Sequence, residues 1–159
     1  MIRPATPDDT EAIVALIRGL AEYEHLEHLV TLDARQLREH LFGPRPYAEV
    51  LLAEDAGEVV GFALFFHNYS TFLGRPGIYL EDLYVQPEYR GRGHGKALMA
   101  AVARRAVERG CGRLEWAVLD WNEPSIAFYR ALGAAPLDEW TTFRLTGEAL
   151  AALGAAGES

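Results

Sequence analysis

In the segment TPDDTEAIVALIRGLAEYE, the apolar residues Ile13, Leu16, Ile17 and Leu20 fall three and four positions apart, the spacing of a helix with one buried face. Thr6 is placed to cap that helix, Pro7 fits its first turn, and Asp8 and Asp9 sit at its positive end. A short strand, Ile2 to Ala5, precedes it, and a second helix over Asp33 to Phe42 is stopped by Gly43 and Pro44. From Tyr47 the period changes to two. YAEVLLAED and EVVGFALFFHN read as strands of an antiparallel hairpin turning at Ala56 and Gly57. A loop, NYSTFLGRPG, leads to a further strand, IYLEDLYVQ. A helix from Gly93 to Arg109 then buries Leu98, Val102 and Ala106, while Arg104, Arg105, Glu108 and Arg109 look outward. RLEWAVLDW reads as a strand, EPSIAFYRAL as a short helix, WTTFRLT as a last strand, and a small helix begins at Gly147.

That order predicts an α/β fold with a mixed sheet covered by helices. An all-parallel dinucleotide-binding sheet does not fit, because the hairpin strands are too close in sequence for a crossover. With 159 residues the chain supports one domain, residues 1–154, followed by a flexible tail at 155–159. The balance of 15 basic and 23 acidic residues, formally -8, argues against nucleic acid as a partner and favours small cations. Cys111 is the sole cysteine, so no internal disulfide forms, and it reads as a buried or bystander thiol. The longest apolar runs, such as VVGFALFF, fall short of the roughly 20 residues that span a bilayer, and the N-terminal MIRPATPDDT lacks the pattern of a secretory signal. A cytoplasmic address is expected. His25, His28, His40, His67 and His94 compose no metal motif, and His94 is expected to face solvent.

The chemistry concentrates in QPEYRGRGHGKA. Gly91, Gly93 and Gly95 bare the backbone where a strand becomes a helix. Unpaired amides at that helix start, reinforced by Arg90, Arg92 and Lys96, suit phosphate or pyrophosphate. The spacing matches neither a magnesium-nucleotide loop nor a dinucleotide loop. In IYLEDLYV, alternation places Glu81 with Tyr79 and Leu83, and Asp82 with Leu80 and Tyr84, on opposite faces. Acids in so apolar a strand are costly unless paired, so each is open to a salt bridge or to a chemical role.

Arg90-Gly91-Arg92-Gly93-His94-Gly95 after YLEDLYV resembles the acetyl-CoA signature of the GNAT superfamily of N-acetyltransferases. The similarity extends through IRPAT, LAEYE, FGPRPY and AVLDWNEPSIAFYRALGA, and is nearest to the diamine acetyltransferases, the tract AVLDWN and the loop STF pointing to the thialysine type. The resemblance implies a GNAT-like, mostly antiparallel sheet and direct acetyl transfer from acetyl-CoA to an amine, without a metal or a cysteine nucleophile. It implies Glu81 as a water-relayed base, Asp82 as a substrate-site acid and Tyr129 as the acid toward the departing thiolate, although Tyr129 also reads as a buried ring with a bonded hydroxyl. It places the pantetheine arm beside Leu83, Tyr84 and Val85 and near Asn122, which, like Ser125, is also a candidate cap for its helix. The pyrophosphate falls to the stretch from Arg90 to Lys96.

For the acceptor, Tyr23, Glu24 and Glu27 at the end of the first helix offer an aromatic and acidic receptor for an ammonium, or simply a solvated helix end. The resemblance strengthens Glu24. In the loop STF, Ser70 and Phe72 stand where spermidine/spermine enzymes carry an acid and a tryptophan, so thialysine, a lysine-like amino acid or a short diamine is expected rather than a long polyamine. The alternatives are a spermidine/spermine acetyltransferase, a protein N-terminal acetyltransferase or a nonenzymatic CoA-binding module. A homodimer is implied by the resemblance.

Overall fold

Asp9 turns the chain from its first strand into its first helix: its Oδ2 accepts the Thr6 amide at 2.7 Å and the Thr6 hydroxyl at 3.2 Å. The strand is β1 (Ile2–Pro4), and a 3-10 turn over Pro7–Asp9 leads into α1 (Thr10–Tyr23). The proline and the two acids thus occupy a tight turn ahead of the α-helix rather than its own first turn. Ile13 and Leu16 are buried, and Ile17 and Leu20 pack partly buried against the same cluster. The second helix, α2 (Ala34–Phe42), is capped by Asp33, whose carboxylate accepts the amides of Arg35 and Gln36.

This computed structural model describes residues 1–156, with one unit spanning Met1–Leu119 and a second beginning at Asp120. In the first unit, β2 (Glu49–Asp55) and β3 (Glu58–Ser70) form the expected hairpin. Ala56 and Gly57 both take positive φ, 52° and 84°, as a two-residue turn between twisted strands requires. The fourth strand, β4 (Arg75–Val85), begins earlier than the sequence predicts. Asn68, Tyr69 and Ser70 pair with Gly77, Pro76 and Arg75, so most of NYSTFLGRPG is ladder and only residues 71–74 turn. Gly77 acts there as a close approach and not as a breaker, since a Cβ would stand 2.5 Å from Asn68 Oδ1.

Next, α3 (His94–Glu108) buries Leu98, Val102 and Ala106, as its periodicity predicts. The last strand of the unit, β5 (Leu114–Trp116), is far shorter than RLEWAVLDW, because only Leu114, Glu115 and Trp116 find partners on β4. The sheet order is β1-β2-β3-β4-β5, antiparallel except for the final pair, so the fold is the mixed, mostly antiparallel α/β architecture expected. Its core joins Ile13, Leu16, Leu41, Val50, Leu52, Phe62 and Tyr84.

The second unit contains α4 (Glu123–Ala131) and α5 (Gly147–Ala156). WTTFRLT is not a strand: residues 140–146 carry no regular structure. Its β-branched and aromatic residues suit a pleated surface, but that preference supplies no pairing partner. Of the expected tail, residues 155 and 156 close α5, and 157–159 lie outside the described residues.

Candidate active site

The regular ladder of strand β4 fails at one residue. Leu64 pairs with Asp82 and Phe65 with Leu80, which leaves Glu81 as the extra residue of a bulge. The parallel ladder to β5 ends at Leu80, so both irregularities fall at the same point. The ladder read along IYLEDLYV is therefore interrupted at Glu81, although burial still alternates across it, with Leu80 and Tyr84 buried and Glu81 turned to solvent.

Glu81 is exposed and Asp82 half-buried. Burial pushes the Asp82 carboxyl up from 3.8 to about 7, aided by the negative charges of Glu81 and Glu24. Burial, then Glu81, likewise raises Glu24. Three acids from two distant segments thus share one electrostatic neighbourhood. Glu24 reaches it because α1 ends abruptly: His25 adopts φ 60° and the Leu26 amide returns to the Ala21 carbonyl at 2.8 Å. Tyr79 adjoins the group, its hydroxyl pushed up by burial and by Glu81 and Glu115. Glu27 is exposed in a 3-10 turn over Glu27–Leu29.

Past the bulge, the Gln86 amide bonds to the Val60 carbonyl at 2.9 Å, so Gln86, Tyr84 and Asp82 direct their main-chain groups toward β3. Leu83 and Val85 direct theirs to the opposite edge, where the ladder with β5 has stopped. Tyr84 itself is buried, its ring packed against Gly19 of α1.

The glycine stretch follows at once. Gly91 and Gly93 take φ of 79° and 86°, which only glycine adopts without strain. Gly93 starts α3 without any side-chain cap, and Ala97 N to Gly93 O, 3.0 Å, is the first closed turn. The amides of residues 94–96 precede it and have no acceptor within the helix. Gly95 is not in the left-handed region, and a Cβ there would meet only Val85 Cγ2 at 4.0 Å, so its missing side chain leaves open room before those amides. Lys96 is exposed beside them.

The cationic side chains are less free than the sequence implies. The Arg90 guanidinium lies 4.8 Å from the Tyr23 ring centroid and 5.7 Å from that of Tyr84, with Nε donating to the Val85 carbonyl at 3.0 Å. Arg92 donates to Asp55 Oδ2 at 3.0 Å and also lies over the Tyr89 ring. His94, expected to face solvent, has a side chain only 13% exposed, with Nε2 2.9 Å from the same Asp55 oxygen. A carboxylate this remote in sequence pulls the imidazole inward, and no local pattern announces it.

A match to the acetyltransferase (GNAT) family covers residues 10–134. The chain belongs to the GNAT acetyltransferase family. It is 46% identical over 161 residues to the thialysine N-epsilon-acetyltransferase of Bos taurus, covering 94% of each chain. It is 36% identical to the L-ornithine N5-acetyltransferase of Arabidopsis thaliana, covering 96% of this chain and 86% of the other. Among solved structures, an integron cassette protein from the mobile metagenome of V. cholerae superposes with a TM-score of 0.81 at 25% identity, over 97% and 96% of the two chains. As a GNAT enzyme the protein is an acetyl-CoA-dependent N-acetyltransferase. The uncapped amides and the open space at Gly95 fit the anionic part of that cosubstrate.

Two other expected site residues of this GNAT chain, Ser70 and Phe72, stand apart from Glu81 at the far end of the β3–β4 hairpin. Ser70 is buried, and its hydroxyl accepts the Leu73 amide at 3.2 Å. Phe72 is fully exposed at the β3–β4 turn, roughly 20 Å along the strand from Glu81 at about 3.3 Å per residue. In the second unit, Asn122 is buried and caps α4 through the Ser125 amide, at 3.4 Å, while Tyr129 is half-buried with its ring against Phe128. Among the described residues, no group of three or more His, Cys, Asp or Glu side chains could hold a metal ion, and no helix is long and apolar enough to cross a membrane.

Proposed function

We propose that the protein acetylates a primary amine of a small cationic molecule, with thialysine, a lysine-like amino acid or a short diamine as the preferred acceptor. The observation that carries this reading is the shared neighbourhood of Glu24, Glu81 and Asp82 at the β4 bulge. An alkylammonium has a pKa near 10 and must shed its proton before it can attack a carbonyl carbon. Glu24 draws the cation in, while the Tyr23 ring beside it is covered by the Arg90 guanidinium. Glu81, the exposed carboxylate, takes the proton through water, and Asp82, with a carboxyl near 7, holds it close to neutrality, where a general base works best. The two act as a coupled pair.

Acetyl-CoA supplies an activated thioester. Toward it, the amides of residues 94–96 with Arg92 and Lys96 receive the pyrophosphate, and the edge beyond the β5 ladder, Leu83 and the Val85 amide, pairs with the pantetheine amides, the Val85 carbonyl being taken by Arg90. The family resemblance assigns Asn122 to the same arm and gives Tyr129 the role of proton donor to the departing thiolate. The family resemblance also supports a homodimer, which light scattering on the eluting species tests directly.

The decisive experiment follows free CoA with acetyl-CoA at saturation and a panel of thialysine, lysine, ornithine, short diamines, spermidine and N-terminal peptides, each product confirmed by mass. Turnover of the amino acids or short diamines well above that of spermidine and peptides is expected. Superior spermidine turnover would establish the polyamine reading instead, and reaction with peptides alone the protein N-terminal one. Ser70 carries no charge for a distal ammonium, which disfavours the former.

A further inference from the structure

We infer that Asp55 is a positioning residue for acetyl-CoA: it pins the glycine loop from outside, so that the amides before α3 are held ready for the cosubstrate's pyrophosphate. This rests on the assignment of that loop to the pyrophosphate. Asp55 closes β2 at the tip of the β2–β3 hairpin, and one oxygen, Oδ2, takes both Arg92 at 3.0 Å and His94 at 2.9 Å. Those residues flank Gly93, whose φ of 86° starts the helix without a side-chain cap. The same end of the hairpin holds the entry to the loop, through Gln86 N on Val60 O at 2.9 Å. Val60 is itself the extra residue of a bulge, since Ala53 pairs with Gly61 and Glu54 with Val59. The loop is therefore fastened at entry and at exit to one rigid hairpin.

Gly91 and Gly93 give the intervening backbone more freedom than any other residue, and a ligand that orders such a segment loses affinity in proportion. Fastening residues 92 and 94 removes that cost before binding. It also places a carboxylate near an anion site, and the paired Arg92 guanidinium offsets its charge.

The test compares two donors at saturating amine: acetyl-CoA, and acetyl-pantetheine, which has the same thioester and arm but no phosphates. Asp55→Ala is expected to raise the KM for acetyl-CoA about 3- to 10-fold, the effect of releasing one or two ordered side chains. The KM for acetyl-pantetheine stays within twofold. Asp55→Asn, which keeps an acceptor oxygen but not the charge, gives an intermediate ratio and serves if the alanine variant folds poorly. An unchanged ratio of the two KM values in both variants, or a fall in the KM for acetyl-CoA, overturns the role of Asp55. Equal KM values for the two donors in the unaltered enzyme overturn the pyrophosphate assignment, and the inference with it.

Discussion

Asp82 folds into surroundings that favour its neutral form, and the sign of the consequence follows from linkage. Its carboxyl rises from 3.8 to about 7 on folding, so the native state binds the proton more tightly than the unfolded chain does. Below about pH 4 both states are protonated and the group costs nothing. Between about pH 4 and pH 7 the unfolded chain gives up the proton while the native state keeps it, so stability is lost across that window and the loss is complete once Asp82 ionises beside Glu81 and Glu24. Asp82→Asn should therefore leave stability unchanged near pH 4 and raise it at pH 8, by on the order of 1–2 kcal/mol once solvent screening is allowed for, with a higher Tm at pH 8 only. Thermal melts at the two pH values check this. The same group predicts kinetics. The acid limb of kcat/KM should lie near pH 7, vanish in Asp82→Asn, and move to lower pH in Glu81→Gln, because removing that neighbouring charge makes Asp82 easier to ionise. As the partner in proton removal, Glu81→Gln should also lose about 100-fold or more in kcat. A limb that stays fixed in Glu81→Gln would separate the two acids. All three acids were visible as candidates in the string. Their proximity was not, since it depends on a bulge that periodicity cannot register and on an α1 terminus set by His25.

Helix starts were largely readable from single residues because capping is local: Asp33 and Gly93 mark the boundaries the structure shows, while Thr6 opens the 3-10 turn that leads into α1. Strand extents were not, since a strand lasts only as long as its partner. NYSTFLGRPG looked like loop and became ladder, whereas RLEWAVLDW and WTTFRLT looked like strands and found few partners or none. The unexpected end of the β4–β5 ladder leaves Leu83 and the Val85 amide without a β5 partner, so the least legible feature of the sheet bears most on the proposed site. Packing between elements has its own hidden requirement at Gly19. A Cβ there would lie 2.8 Å from the Tyr84 hydroxyl oxygen and 3.0 to 3.1 Å from its ring, and Tyr84 is buried beneath the site. Alanine favours a helix interior over glycine by about 1 kcal/mol, while overpacking a filled core costs about 1–3 kcal/mol. Gly19→Ala is accordingly expected to lower Tm. A higher Tm would mean that the Tyr84 ring yields without cost.

At the scale of the whole molecule, the formal charge of -8 acts on the two substrates in opposite directions. It repels an anionic cosubstrate, so the donor side depends on a local arrangement of amides and cations, whereas it draws a cationic acceptor from a distance. Screening weakens that attraction, since the Debye length falls from about 30 Å at 0.01 M salt to about 8 Å at 0.15 M. The loss scales with the acceptor's charge: a short diamine carries two positive charges at neutral pH, a lysine-like amino acid a net one. Raising ionic strength across that range should lower kcat/KM more for the diamine than for the amino acid, with kcat itself nearly constant. Initial rates for both acceptors at fixed saturating acetyl-CoA measure the two slopes. Equal slopes would mean that the acceptor is recognised by contact alone, and that Glu24, Glu81 and Asp82 exert their pull only after it has arrived.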